Sequence, residues 1–119
     1  GHIHTPTIND IDLLKIGRHF RLDKNTKLVV GRNKDENEMI KGLALPNDTL
    51  LEAKEHMGPI ALLRGHDTEK YVEFASTITL RYSDAPKGQT DIVTVQKENT
   101  LTEISVSKAE ETSYRKFRI

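Results

Sequence analysis

The side chains best placed to do chemistry in this chain are cations and amides. Lys15, Arg18, His19 and Arg21 crowd together in the stretch 15–21, and Arg32, Asn33 and Asn37 follow after a short apolar run. A guanidinium matches a phosphate bidentately and also stacks on a base. Apolar residues interleave with the cations in Ile16-Gly17-Arg18-His19-Phe20-Arg21. On an alternating strand, Lys15, Arg18 and Arg21 share one side only if a bulge falls at Gly17. The competing reading is a solvated strand face with ordinary surface charge. Arg32, Asn33 and Asn37 straddle a helix start, where free N–H groups and the helix dipole attract anions. There the competing reading is that Asn33 only caps the helix and Asn37 is an exposed polar residue.

The elements that must position these groups follow from periodicity. Ile16, Phe20 and Leu22 alternate, Asp23-Lys24-Asn25-Thr26 is a polar turn, and Lys27-Leu28-Val29-Val30 is β-branched and apolar. Residues 13–30 therefore read as an opening hairpin. Asn33 is a good N-cap, Asp35 and Glu36 suit a first turn, and Met39, Ile40 and Leu43 share one face. These signals predict a helix over 34–44, stopped by Pro46. Thr49–Ala53 and Ile60–Arg64 read as strands. Tyr71, Ala75, Ile78 and Tyr82 mark one side of a second helix over 68–82. Asp91–Val95 and Leu101–Val106 alternate at period two around Lys97-Glu98-Asn99, a second hairpin. Ser113–Ile119 reads as a terminal strand or a frayed tail. The order is ββαββαββ. It predicts an α+β, two-layer domain with a small mixed sheet of five to six strands and two helices.

Residues 1–12 read as a tag remnant and linker, with His2 and His4 belonging to the remnant. Residues 13–119 read as one domain, which suits a chain of 119 residues. Apolar residues make up 35% and charged residues 30%, and no apolar run approaches the ~20 residues needed to span a bilayer. The expectation is a soluble cytoplasmic protein without membrane contact. There is no cysteine, so disulfides, thiolate ligands and thiol nucleophiles are excluded. The formal net charge is zero but unevenly spread. Residues 1–34 carry seven basic and three acidic side chains, residues 35–112 eight basic and fifteen acidic, and residues 113–119 three basic and none acidic. If the ends meet, they form one positive surface.

Enzyme signatures are missing. Gly17, Gly31 and Gly42 are isolated rather than a phosphate loop, and no serine sits in a nucleophile elbow. His19, His56 and His66 lack ligand spacing. Glu110-Glu111 beside Lys108 reads as solvated surface. The sequence therefore predicts no catalytic residues, no metal and no cofactor.

The stretch Val29-Val30-Gly31-Arg32-Asn33-Lys34-Asp35-Glu36-Asn37-Glu38 resembles the signature of the NFACT-R RNA-binding domain family. Leu43–Asp48 is similar to that family's helix end and turn, Gly58–Arg64 to its following strand, and residues 68–82 to its second helix. The resemblance covers roughly residues 27–95. At two places the chain departs from the pattern. Leu50, Leu51 and Glu52 replace an aromatic and a histidine, and Pro59-Ile60 replaces another histidine. The opening Leu13–Arg21 resembles a branch fused behind a PP-loop ATPase of the tRNA thiouridylase type, also described as methyltransferase-like.

The resemblance implies a non-catalytic, C-terminal RNA-binding domain of a tRNA-modifying protein. Its partners would be RNA, with tRNA as the expected target, and the upstream PP-loop domain of the same protein. It would act as a monomer. The implied RNA-binding residues are Gly31, Arg32, Asn33 and Asn37 from the family signature, and Lys15, Arg18, His19 and Arg21 from the branch pattern and their chemistry. The alternative function is a protein-interaction or structural module docking on the upstream domain. With only three tyrosines, three phenylalanines and no tryptophan, recognition through shape and backbone is expected over base stacking.

Overall fold

A computed structural model describes residues 7–119; the expected tag residues His2 and His4 lie outside the described residues. Four helices, a short 3₁₀ turn and six strands follow in the order α1 (Ile8–Leu14), β1 (Arg18–Asp23), β2 (Thr26–Val30), α2 (Lys34–Leu43), β3 (Thr49–Ala53), β4 (Ile60–Gly65), α3 (Thr68–Arg81), β5 (Thr90–Lys97), β6 (Thr100–Ser107) and α4 (Glu111–Tyr114), with the 3₁₀ turn over Arg115–Phe117. The α+β class stands, and both main helices fall within a residue of their expected bounds.

The sheet runs β1-β2-β4-β3-β5-β6, and every neighbouring pair is antiparallel. The expected mixed sheet is thus corrected to a wholly antiparallel one. Both crossovers skip a strand. β2 reaches β3 through α2 with β4 inserted between them, and β4 reaches β5 through α3 with β3 between. The two crossovers step the same way across the sheet from strands of opposite direction. Crossovers of one hand must then place their helices on opposite faces. That is the arrangement found. Phe20, Leu28, Val30, Leu51, Leu63 and Val93 pack on α3 and Tyr114. Leu13, Val29, Ile40, Ile60 and Leu62 form a smaller core under α1 and α2. The helices cover both faces, so the expected two layers become three over the first strands.

The stretch expected to be linker holds α1. Thr7 and Asp10 form a reciprocal capping box, and Leu13 is fully buried. The Asn9 side chain donates to the Leu43 carbonyl at 2.9 Å, which ties α1 to the end of α2. A seven-residue helix is marginal alone, so packing on α2 holds it, and period-two reading of Leu13–Arg21 missed it. Strand β1 starts only at Arg18, after Gly17 turns the chain at φ +75° against Val29 and Val30. The C-terminal segment is neither frayed nor a full strand. After α4 and the 3₁₀ turn, Arg118 bridges to Phe20 and the Ile119 amide donates to the His19 carbonyl at 2.9 Å. The two basic ends of the chain therefore meet along the outer edge of β1.

Candidate nucleic-acid interface

Strand β1 decides where its cations point. Arg18 opposes Val30, His19 opposes Val29, Phe20 opposes Leu28 and Arg21 opposes Lys27, with no bulge among them. Alternation therefore puts Arg18 on the α3 side with Phe20, and His19 and Arg21 on the α2 side. Arg18 and Arg21 do not share a face. They flank one strand edge from opposite sides.

On the α3 side the Arg18 guanidinium carbon lies 4.4 Å from the centroid of the Tyr82 ring. Tyr82 in turn neighbours Phe20 and Tyr114, at ring-centroid separations of 6.4 and 6.2 Å. Burial raises the Tyr82 hydroxyl above the usual tyrosine range. The adjacent Tyr114 hydroxyl adds to this, while Arg118 and Arg18 oppose it. Arg118 stands across from Phe20, so it shares the Arg18 side. Sequence reasoning noted the basic tail but missed Tyr82 and Arg118 as parts of this group. The signal available was the alternation of aromatics and cations in Tyr114–Arg118.

On the α2 side His19 is half-buried, with Nε2 2.8 Å from the Ile16 carbonyl, so that nitrogen carries the proton. Burial lowers its pKa, the carbonyl contact opposes this, and Lys27 and Arg32 lower it further. The ring is a neutral brace for the α1–β1 turn. Arg21 is exposed and reaches the Lys24 carbonyl only at 3.5 Å. Lys15 caps the end of α1, exposed, with a 3.7 Å ion pair to Asp12.

The signature residues are drawn into the fold. The Asn33 side chain accepts from the Glu36 amide at 2.9 Å, the expected N-cap. The Glu36 carboxylate returns to the helix start and accepts from the Arg32 amide at 2.9 Å. It also takes both Nε and Nη2 of Arg32, at 2.9 and 2.7 Å. The Arg32 guanidinium, helped by the Gly17 and Arg32 amides, pulls Glu36 down to about 2 against the cost of burial. The anion site expected at this helix start is thus occupied by the chain's own carboxylate. The Asn37 amide oxygen accepts from the Ile60 amide at 3.0 Å. A side chain at Gly31 would overlap that same oxygen. Gly31 and Asn37 therefore join α2 to β4 rather than sitting open on the surface. Arg32 keeps about half of its side chain exposed.

A second polar centre was not foreseen. Arg64, on β4, donates to Asp48 at 2.7 and 2.9 Å, to Asp10 at 2.9 Å and to the Leu43 carbonyl at 3.3 Å. Its side chain is 15% exposed and that of Asp48 4%. It pins α1, the end of α2 and the start of β3 together. His56 Nε2 meets Asp91 at 3.0 Å, but among the described residues no hydroxyl bonds to that dyad as a nucleophile. Among the described residues no group of three or more His, Asp or Glu could hold a metal, and no helix is long and apolar enough to cross a membrane.

Residues 17–118 match the family model described as an NFACT protein RNA binding domain. A search of curated proteins finds no match. Among solved structures, the C-terminal part of the fibronectin/fibrinogen-binding protein from Streptococcus suis is similar, with a TM-score of 0.71 at 16% identity. The match covers 100% of this chain and 53% of that one, so the chain spans about half the length of that structure. At this identity the likeness speaks to the fold alone.

Proposed function

The chain belongs to the NFACT protein RNA-binding domain family, and on that premise we propose that it is a non-catalytic domain that presents tRNA to a catalytic PP-loop domain of the same cytoplasmic protein, one of the thiouridylase or methyltransferase-like type. The observation that carries this reading is the pairing of the C-terminal segment with β1. It brings Arg115, Lys116 and Arg118 to the edge that already bears Arg18 and Arg21. The most basic segments of a neutral chain thereby become one rim, while the acidic middle of the sequence builds the rest. A cationic rim with few exposed aromatics suits contact with a folded RNA backbone.

Titration of the chain with tRNA, an RNA hairpin and a single strand, over a range of salt, tests the reading. Affinity should fall steeply with salt and be highest for tRNA. Equal, salt-independent affinity for all three would overturn it.

One observation favours a second reading, a module docking on the upstream domain. Strand β6 is the other outer strand of the sheet, regular over eight residues, with Leu101 64% exposed. An uncovered strand of this kind is a pairing surface for another chain. Binding of the separately made upstream domain, lost on Leu101→Lys and unaffected by RNA, would establish it.

A further inference from the structure

The guanidinium groups of the molecule are not equivalent. Arg32, Arg64 and Arg115 each have a carboxylate partner. Arg18 and Arg118 form no ion pair among the described residues, yet both are held in place by something else. The Arg18 guanidinium carbon lies over the Tyr82 ring, 4.4 Å from its centroid. A stacked cation–π contact spends no N–H of the guanidinium on an acceptor, so its fork stays available. Arg118 is fixed by its backbone: it bridges Phe20, and its amide donates to the Arg115 carbonyl at 3.2 Å. Arg118 lies across from Phe20, two residues along the strand from Arg18, on the same side of the sheet. Diagonal positions of this kind are ~7–8 Å apart, a span within reach of two long side chains converging on one anion. The Tyr82 hydroxyl, paired with that of Tyr114, lies beside them.

We propose that Arg18 and Arg118 form a two-armed clamp for a phosphate group on the α3 side of the β1 edge, with Tyr82 as the plate that orients Arg18. The proposal rests on the RNA-binding reading for its natural ligand, a backbone phosphodiester, and it gives that reading a direction. The RNA backbone crosses the α3 side, not the α2 side. There His19 is neutral and turned onto a carbonyl, and Arg64 is spent on Asp10 and Asp48. Two like charges placed together without a counter-ion are a standing attraction for an anion. The fork geometry then favours phosphate over a spherical ion.

The experiment uses the whole chain and two probes, inorganic phosphate and tRNA. Phosphate titration followed by NMR of arginine Nε–Hε signals should move Arg18 and Arg118 together and leave Arg21 and Arg64 in place. For tRNA, Arg18→Gln and Arg118→Gln should each weaken binding about tenfold and lower the salt slope by about one. Arg21→Gln, on the other side of the strand, should cost less than threefold. Arg18→Lys keeps the charge but loses the fork and the stack, and should restore less than half of the lost affinity on a logarithmic scale. Tyr82→Leu should match Arg18→Lys, with unfolding midpoints read alongside to show that each variant is folded. If tRNA binds but Arg21→Gln costs as much as Arg18→Gln, or Arg18→Lys restores binding fully, the clamp is wrong while the RNA reading stands. If phosphate moves both arginines but tRNA does not bind, the clamp stands for a free phosphate and the RNA reading falls. If phosphate moves neither, the clamp is overturned.

Discussion

Gly31 and Asn37 are fitted to each other: the amide oxygen of Asn37 fills the space a side chain at residue 31 would need, and from there it accepts the Ile60 amide at 3.0 Å. The glycine is required by this close approach, since its φ lies outside the left-handed region. Gly31→Ala should therefore destabilise the domain, by displacing Asn37 and leaving the Ile60 N–H without its acceptor, at about 1–3 kcal/mol. Asn37→Ala should cost a similar amount. In the double variant the overlap disappears with the amide, so the two costs should fall short of additivity by about 1 kcal/mol or more. Urea unfolding of all four proteins reads this directly, and strict additivity would show that the two residues act separately.

That pair also shows how much of the site was legible from sequence. The helix, its cap and the strand before it were readable, because Asn33, the acidic first turn and the Leu28-Val29-Val30 run are local signals. The use made of Asn37 was not, because its partner Ile60 lies 23 residues away and no local rule links them. The same holds for Arg64, whose partner Asp10 is 54 residues distant. It also holds for α1, which stands only because Leu13 and Asn9 find α2. Faces along β1 were half legible. Alternation already separates Arg18 from Arg21, but which side each faces depends on where α2 and α3 pack. That in turn depends on strand order, which the sequence does not display.

Arg64 should be the least replaceable cation in the chain. Its loss leaves the Asp48 side chain, 4% exposed, without the guanidinium that bonds it. Arg64→Met should cost about 3–5 kcal/mol, the usual penalty for stripping a buried pair of one partner. Adding Asp48→Asn and Asp10→Asn to the Arg64→Met chain should recover a large part of that loss, since the buried Asp48 site would no longer carry a charge. Thermal unfolding of the single and triple variants decides it. A triple variant less stable than Arg64→Met would refute the electrostatic account.

Acid should weaken the fold in two stages. The His19 pKa is lowered in the folded state, chiefly by burial. The unfolded chain thus takes up a proton first, and the stability tied to neutral His19 begins to fall as pH drops below about 6.5. Glu36 titrates near 2 when folded, against 4.5 ordinarily. Its contribution is complete above 4.5 and is lost as pH falls from there toward 2. Denaturant midpoints measured from pH 7.5 to 2.5 should show both declines. His19→Gln should flatten the upper one and leave the lower, and Glu36→Gln should do the reverse. If His19→Gln leaves the pH 5–6.5 segment unchanged, the imidazole is not buried neutral.

Glu36 also sets the charge beside the rim that meets RNA. Its carboxylate occupies the start of α2 and holds the Arg32 guanidinium through two charged hydrogen bonds, and both features would otherwise favour a phosphate. Arg32 follows the end of β2 that pairs with Arg18, so this helix start adjoins the basic rim. Removing the charge should have opposite effects on folding and binding. Glu36→Gln should lower stability by about 1–3 kcal/mol, because the hydrogen bonds to Arg32 lose their charge. It should also raise tRNA affinity several-fold at low salt and steepen the salt dependence, since one repelling carboxylate is gone and one half-exposed guanidinium is freed. Arg32→Gln should by contrast lower affinity only a few-fold, less than Arg18→Gln, because it removes no free cation but leaves the Glu36 carboxylate uncompensated. Anisotropy titrations of the three proteins at two salt concentrations separate these outcomes. An Arg32→Gln loss as large as that of Arg18→Gln would mean that RNA pulls Arg32 away from Glu36 on binding, and that the carboxylate does not screen this end of the rim.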